Sequence, residues 1–367
     1  MTDSLPSNRL VSLDAYRGLT MFLLIAESAF VYHALTDLFS EGTFGAAIVQ
    51  QFHHHPWNGL RFWDLIQPFF MFIVGVAMPF SLRSRMAKGA SWNDAFKHIL
   101  VRCLLLFLFG TGLHCVYSGK LVWELWNVLT QLSFTILITF LLMRMPVRTQ
   151  LIASALLLLL TEVLYRVYDP GAPFVKDQNF GSWMDMILMG KINPGGGWVT
   201  VNCIPTAAHT IWGAVCGTLL IKWREQPDRI IKGFVMAGII GLIIGYGLDL
   251  AGITPIVKRI STTSFVFASG GWCLLALVFF YWLVDLKGYR KWARLFIIVG
   301  MNSIFIYLFA NILSGWLRDF VHIWNDGFLG ALGFGDQVLS VTNAFLSLAV
   351  MCYLSYFLYK KRIFFRI

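Results

Sequence analysis

In the stretch QFHHHPWNGLRFWD, residues 51–64, three consecutive histidines precede an aspartate, and His54 stands ten residues before Asp64. A neutral imidazole, with an ordinary pKa of about 6.5, accepts a proton at neutral pH. A carboxylate on the other ring nitrogen fixes the tautomer of such a base, and the spacing lets a short loop return Asp64 to one of the histidines. Aspartate is also favoured where helices begin, so a capping role for Asp64 stays open beside the first. No metal is expected, because adjacent side chains point in different directions and no H-E-x-x-H spacing occurs on any helix. The neighbouring His55, Trp57 and Asn58 add polar edges and an aromatic stacking face.

The elements that must position these residues are apolar. The chain of 367 residues is 57% hydrophobic and 13% charged, against roughly 25% charged in an ordinary soluble domain, and its mean hydropathy is +0.68. Runs long enough to cross a hydrocarbon core, about 20 residues each, recur throughout. The expected fold is all-α: a polytopic membrane bundle of about ten transmembrane helices, forming a single integral membrane domain over residues 1–367. The predicted spans are 13–35, 62–82, 96–117, 121–143, 149–167, 201–222, 230–251, 262–285, 293–313 and 338–359. The N-terminal segment lacks the features of a cleaved signal peptide, so its first apolar run is read as a retained span.

The formal charge of +10 is explained by where the cations fall. With the N-terminus inside, most of the 29 Lys and Arg residues lie in inside segments, a positive-inside bias and not a nucleic-acid surface. Both termini are then cytoplasmic. The stretch from Gly315 to Gln337, aromatic but interrupted by Gly and Asp, is read as an outer-face re-entrant or interfacial segment. The histidine stretch and the long loop Tyr168 to Thr200 share the outer side, where Lys258 and Arg259 also fall. The six cysteines have no C-x-x-C spacing and read as small buried residues.

Ionisable groups inside spans are costly and mark polar sites. Glu27 and Asp64 flank the histidine loop from the spans on either side of it. Asn202, His209 and Asn302 join Asn58 as polar linings, each equally readable as an interhelical hydrogen-bonding residue.

Three motifs in order, R9-L-V-S-L-D-A-Y-R-G18, H54-H-P-W-N-G-L and D64-L-I-Q-P-F-F-M-F-I-V-G, resemble the heparan-alpha-glucosaminide N-acetyltransferase family and its bacterial relatives. GWVTVNCIPTAAHTIWG near span 6 and GMNSIFIY in span 9 extend the resemblance over most of the chain. It implies a transmembrane acetyltransferase that takes an acetyl group from cytosolic acetyl-CoA to an amino sugar or glycan on the other face. It also implies His54, three residues before the W-x-G, as general base or acyl carrier. Asp64 is then the catalytic partner, and Glu27, His55, Trp57, Asn58, Asn202, His209 and Asn302 are substrate-binding candidates. Where the human-type enzyme has an asparagine after the R-G motif, this chain reads Ala26-Glu27-Ser28. Arg9, Arg17, Arg83 and Arg85 lie on the inner face, and Arg17, within the family motif, is the candidate for a coenzyme A phosphate.

The expected setting is a bacterial inner membrane, multi-pass, with the active-site loop periplasmic. The expected partners are acetyl-CoA, a periplasmic sugar or glycan, membrane lipid and, as one option, a second copy in a homodimer. The luminal domain and extra N-terminal span of the lysosomal enzyme have no counterpart in the sequence, which fits a compact bacterial homologue. Two rivals stand beside this reading: an O-acetyltransferase of a cell-envelope glycan or sialic acid, and a non-catalytic sugar or lipid transporter.

Overall fold

The computed structural model describes residues 10–365, which leaves Arg9 outside the described residues. Among them the chain folds into fourteen α-helices with no β-strand. Eight helical stretches are long and apolar enough to cross a membrane: 62–86, 92–118, 147–168, 200–222, 227–250, 263–286, 303–330 and 336–360. The chain is a polytopic helical membrane protein. It divides into two compact units, His54–Leu275 and a second formed, among the described residues, by 10–53 with 276–365.

The unit from His54 to Leu275 holds α4 (Ile66–Met86), α5 (Trp92–Ser118), α6 (Val128–Leu142), α7 (Val147–Tyr168), α8 (Phe180–Met189), α9 (Cys203–Lys222), α10 (Pro227–Leu250) and most of α11 (Thr263–Phe280). Without water to drive them together, membrane helices associate where small residues let backbones approach. Helices α4 and α9 meet in this way. A Cβ placed on Gly75 would run into the carbonyl oxygen of Thr210, and one on Gly213 or Gly217 into that of Phe72 or Val76. We expect Gly75→Ala to destabilise the unit by about 1–3 kcal/mol, the usual cost of overpacking, measurable as a lower thermal unfolding midpoint in detergent. An unchanged midpoint would show that the two helices part without cost.

The other unit contains α1 (Val11–Ser28), α2 (Val31–Thr36), α3 (Phe44–Gln50), α12 (Arg294–Met301), α13 (Ser303–Asn325) and α14 (Asp336–Lys360). Gly18 brings α1 onto the backbone of α12 at Phe296. The carboxylate of Asp285 accepts the first amide hydrogens of α1, from Val11 at 3.1 Å and Ser12 at 3.2 Å, which satisfies donors that a helix start leaves open.

Three expected spans are not continuous helices. The run 13–35 breaks at Phe30, whose φ of 64° is left-handed, so α1 and α2 are separate. The run 121–143 contributes only the 15-residue α6. The expected span 293–313 is interrupted at Asn302, and the stretch read as re-entrant is instead helical. Helix α13 runs on through Asn325 into a π-helical turn, Asp326–Gly330. Its polar groups find partners without a break: Arg318 lies 3.6 Å over the Phe30 ring, His322 pairs with Asp326 at 3.0 Å, and Asn325 donates to Thr342 of α14 at 2.9 Å. All six cysteines are free thiols.

Candidate functional site

At one end of the His54–Leu275 unit, three connections converge: the loop leading into α4, the loop between α8 and α9, and the turn between α10 and α11. An apolar cluster of Tyr165, Val199, Val201, Val257 and Ile260, with Trp57 and Phe174 packed against it, supports them. Asn58 forms an isolated antiparallel bridge with Val257, and the amide of Gly59 donates to the Ile256 carbonyl at 2.8 Å. Gly59, at φ 142°, lies against the His55 ring, where a Cβ would collide with it. The ring nitrogen of Trp57 donates to the carbonyl of Phe174 at 3.0 Å, so the two outer loops expected from the sequence are joined.

His54 Nδ1 lies 2.9 Å from Asp64 Oδ1. The second oxygen, Oδ2, accepts the amide hydrogens of His55 at 3.2 Å and Arg61 at 3.0 Å. Arg61 immediately precedes the short 3₁₀ turn Phe62–Leu65 that leads into α4. Asp64 therefore does two things at once: one oxygen closes the helix start and the other bonds the imidazole. The Arg61 guanidinium donates to the His54 carbonyl at 3.0 Å, fixing the loop from its backbone side.

Two residues that the sequence did not connect with this site complete it. Lys258 Nζ stands 3.2 Å from His54 Nδ1 and 3.5 Å from Asp64 Oδ1. Trp198 sets its ring edge-on to the imidazole, centroids 5.7 Å apart, with Lys258 and Arg259 at 5.4 and 5.8 Å from its centroid. The side chain of His54 is 36% exposed while that of Asp64 is 1% exposed, so a solute can reach the imidazole but not its carboxylate. Nε2 has no hydrogen-bond partner among the described residues.

Burial first, and then the Lys258 ammonium, hold the His54 imidazole down at about 4, while its bond to Asp64 pulls the other way. Neutral His54 with Nδ1–H on Asp64 carries its lone pair on Nε2, an arrangement that can take a proton or attack an acyl carbon. Burial followed by Arg61 lowers His55 as well, and burial lowers Arg259.

The other predicted site residues have local duties. Asn202 is fully buried and donates to the Arg259 carbonyl at 3.2 Å, anchoring the turn that carries Lys258. His209 is fully buried, with Nε2 2.8 Å from the Ser269 hydroxyl, and it joins α9 to α11. Glu27, Arg17 and Asn302 belong to the other unit. Glu27 is exposed at the end of α1, and Arg17 pairs with Asp14 at 2.8 Å. The amide of Asn302 bonds Ile363 and Phe365 of the C-terminal segment, both at 3.0 Å, which commits its polar atoms to structure and not to a ligand. Among the described residues no group of three or more His, Cys, Asp or Glu gathers as metal ligands would.

Residues 9–246 match the family described as heparan-alpha-glucosaminide N-acetyltransferase, catalytic. The chain is 23% identical over 432 aligned residues to the heparan-alpha-glucosaminide N-acetyltransferase of Mus musculus, with 98% of this chain and 61% of the relative covered. Against the enzyme of the same name from Homo sapiens it is 24% identical over 427 residues, covering 98% and 60%. The chain thus spans about three fifths of the length of these curated relatives.

Proposed function

We propose, since this chain belongs to the heparan-alpha-glucosaminide N-acetyltransferase catalytic family, that it is a transmembrane acetyltransferase with its chemistry at His54. The observation that carries this reading is the half-exposed imidazole held on a buried Asp64, with Nε2 open. The donor is acetyl-CoA from the cytosol, and the acceptor is an amino sugar or glycan on the opposite face. The protein sits in a bacterial inner membrane with the His54 loop periplasmic.

In the transfer, the acceptor amine adds to the thioester carbonyl and gives up a proton to His54 Nε2. The C–S bond breaks as the amide C–N bond forms, and the thiolate takes the proton as free coenzyme A. Asp64 keeps the tautomer that leaves Nε2 unprotonated before each cycle. An acetyl-imidazole on Nε2, formed first and then attacked by the amine, uses the same geometry. Trp198 offers ring surface beside the imidazole on which a sugar face can stack.

The test is transfer of labelled acetyl from acetyl-CoA, by purified protein in detergent or proteoliposomes, to a panel of amino sugars and hydroxyl-only sugars. Transfer to the amino sugars alone supports the N-acetyltransferase. Transfer to the hydroxyl-only sugars as well moves the reading to an O-acetyltransferase. A folded protein that transfers to neither, and does not bind coenzyme A, overturns the enzyme reading in favour of transport or binding.

A further inference from the structure

Lys258 lies in the connection between α10 and α11, beyond the residues that the family match covers. Its side chain is only 7% exposed, an unusual position for lysine unless a partner holds it. Val257 and Ile260 on either side are buried in the apolar cluster beneath the site, so the backbone that presents Lys258 is pinned. Its ammonium and the imidazole N–H of His54 converge on one oxygen, Asp64 Oδ1, at 3.5 and 2.9 Å. The 3.2 Å approach of Nζ to Nδ1 is then a contact between two donors that share an acceptor. In a simple Asp–His pair the carboxylate stabilises the imidazolium. Here the carboxylate already faces a cation, and a second positive charge on the ring would be placed beside it.

We propose that Lys258 is a positioning residue of the transfer site, whose ammonium neutralises Asp64 and keeps the His54 imidazole uncharged, with its lone pair on Nε2, into the acidic range. This inference rests on the acetyltransferase reading of the same site. The charged groups around His54 agree with it. Asp64 faces the ring from the start of the α4 segment, and Lys258 and Arg259 face it from the α10–α11 connection. Arg61 and His55 flank it on its own loop, Arg61 through the His54 carbonyl, and the α8–α9 loop contributes the uncharged Trp198 ring. Asp64 thus meets the Lys258 ammonium directly and Arg259 at longer range, and Arg259 also faces Asp177. The low value of His54 has the same origin, with burial as its larger cause and Lys258 next. Because the shift is downward, the neutral base persists as pH falls and is lost only near the lowered value. Removing Lys258 leaves burial in place, so the recovery toward the ordinary imidazole value is partial.

The experiment is the pH dependence of His54 carbethoxylation by diethyl pyrocarbonate, which reacts with neutral imidazole, followed by peptide mass spectrometry. Wild type, Lys258→Met and Lys258→Arg are compared, and acetyl-transfer rates are recorded over the same range. In wild type the midpoint is expected well below the ordinary value of about 6.5. In Lys258→Met it is expected to rise by about one pH unit, with the acid limb of the transfer rate moving in parallel, and in Lys258→Arg it stays near wild type. A purely structural lysine would not move the midpoint. Equal midpoints in wild type and Lys258→Met overturn the proposal. If Lys258→Met does not fold, Lys258→Gln takes its place: a midpoint equal to wild type overturns the proposal, and a raised one supports it. The modification requires no substrate. A shifted midpoint in a protein without transfer therefore removes the acetyltransferase reading and leaves the electrostatic role of Lys258. Transfer that depends on His54 but shows no shift removes Lys258 and leaves the reading.

Discussion

Acetyl transfer is expected to fall by about 10²- to 10⁴-fold when His54 is replaced by alanine, the range over which a positioned general base contributes. The loss should come without unfolding, because the imidazole is more than a third exposed and the loop keeps its other ties. The Arg61 guanidinium bonds the His54 carbonyl and not its ring, and Oδ2 of Asp64 still accepts the amides of His55 and Arg61. The check is an initial-rate comparison of wild type and His54→Ala at matched thermal stability. An unchanged rate would remove His54 from the chemistry. Acid-quenched protein that retains labelled acetyl on wild type but not on the variant would favour the acyl-imidazole route over the general base.

Much of the architecture was readable as apolar runs, since seven of the ten expected spans correspond to helices of spanning length and composition, and the eighth such helix, 303–330, takes in only the end of the expected span 293–313. What failed to read were interruptions that hydropathy cannot register. A left-handed Phe30 divides the first run although its neighbours Ala29 and Val31 are apolar. The break at Asn302 is set by a tertiary partner, the backbone of residues 363 and 365, which no local pattern announces. The opposite error occurred from Gly315 to Gln337. Gly and Asp there suggested a broken segment, but α14 and the Phe30 ring supply partners for Asn325 and Arg318, and the helix persists as far as Gly330, the break falling at residues 331–335.

The site divides in the same way. The resemblance picked His54 from the three histidines, and the short loop to Asp64 allowed the two to pair. Lys258 was not legible, since 204 residues separate it from His54 and its charge is equally accounted for as one of the outer cations in the orientation pattern. Trp198 lay in a loop recognised as aromatic, yet nothing distinguished it from a tryptophan at the lipid interface. A buried lysine beside an aspartate is a property of the folded chain, and the only sequence signal was a pair of cations, Lys258 and Arg259, set among Ile256, Val257 and Ile260.

Replacement of Asp64 by leucine is expected to damage stability and activity together, because the carboxylate serves four donors. It leaves two backbone amides without an acceptor and the buried Lys258 ammonium without its carboxylate, a loss of about 3–5 kcal/mol for breaking a buried pair from one side. Asp64→Asn retains an acceptor for the amides but turns an NH₂ toward Nδ1. That favours the tautomer protonated on Nε2, and transfer should drop by up to about 10⁴-fold with a smaller fall in stability. Lys258→Met combined with Asp64→Leu separates charge from chemistry. The double variant should unfold at a higher temperature than Asp64→Leu alone, since the stranded ammonium is gone, while transfer stays abolished because nothing fixes the His54 tautomer. Thermal unfolding in detergent and transfer assays on the four proteins complete the cycle. A double variant no more stable than Asp64→Leu would mean that Asp64 is retained for its backbone hydrogen bonds and not for Lys258, and the electrostatic coupling argued for this site would fall with it.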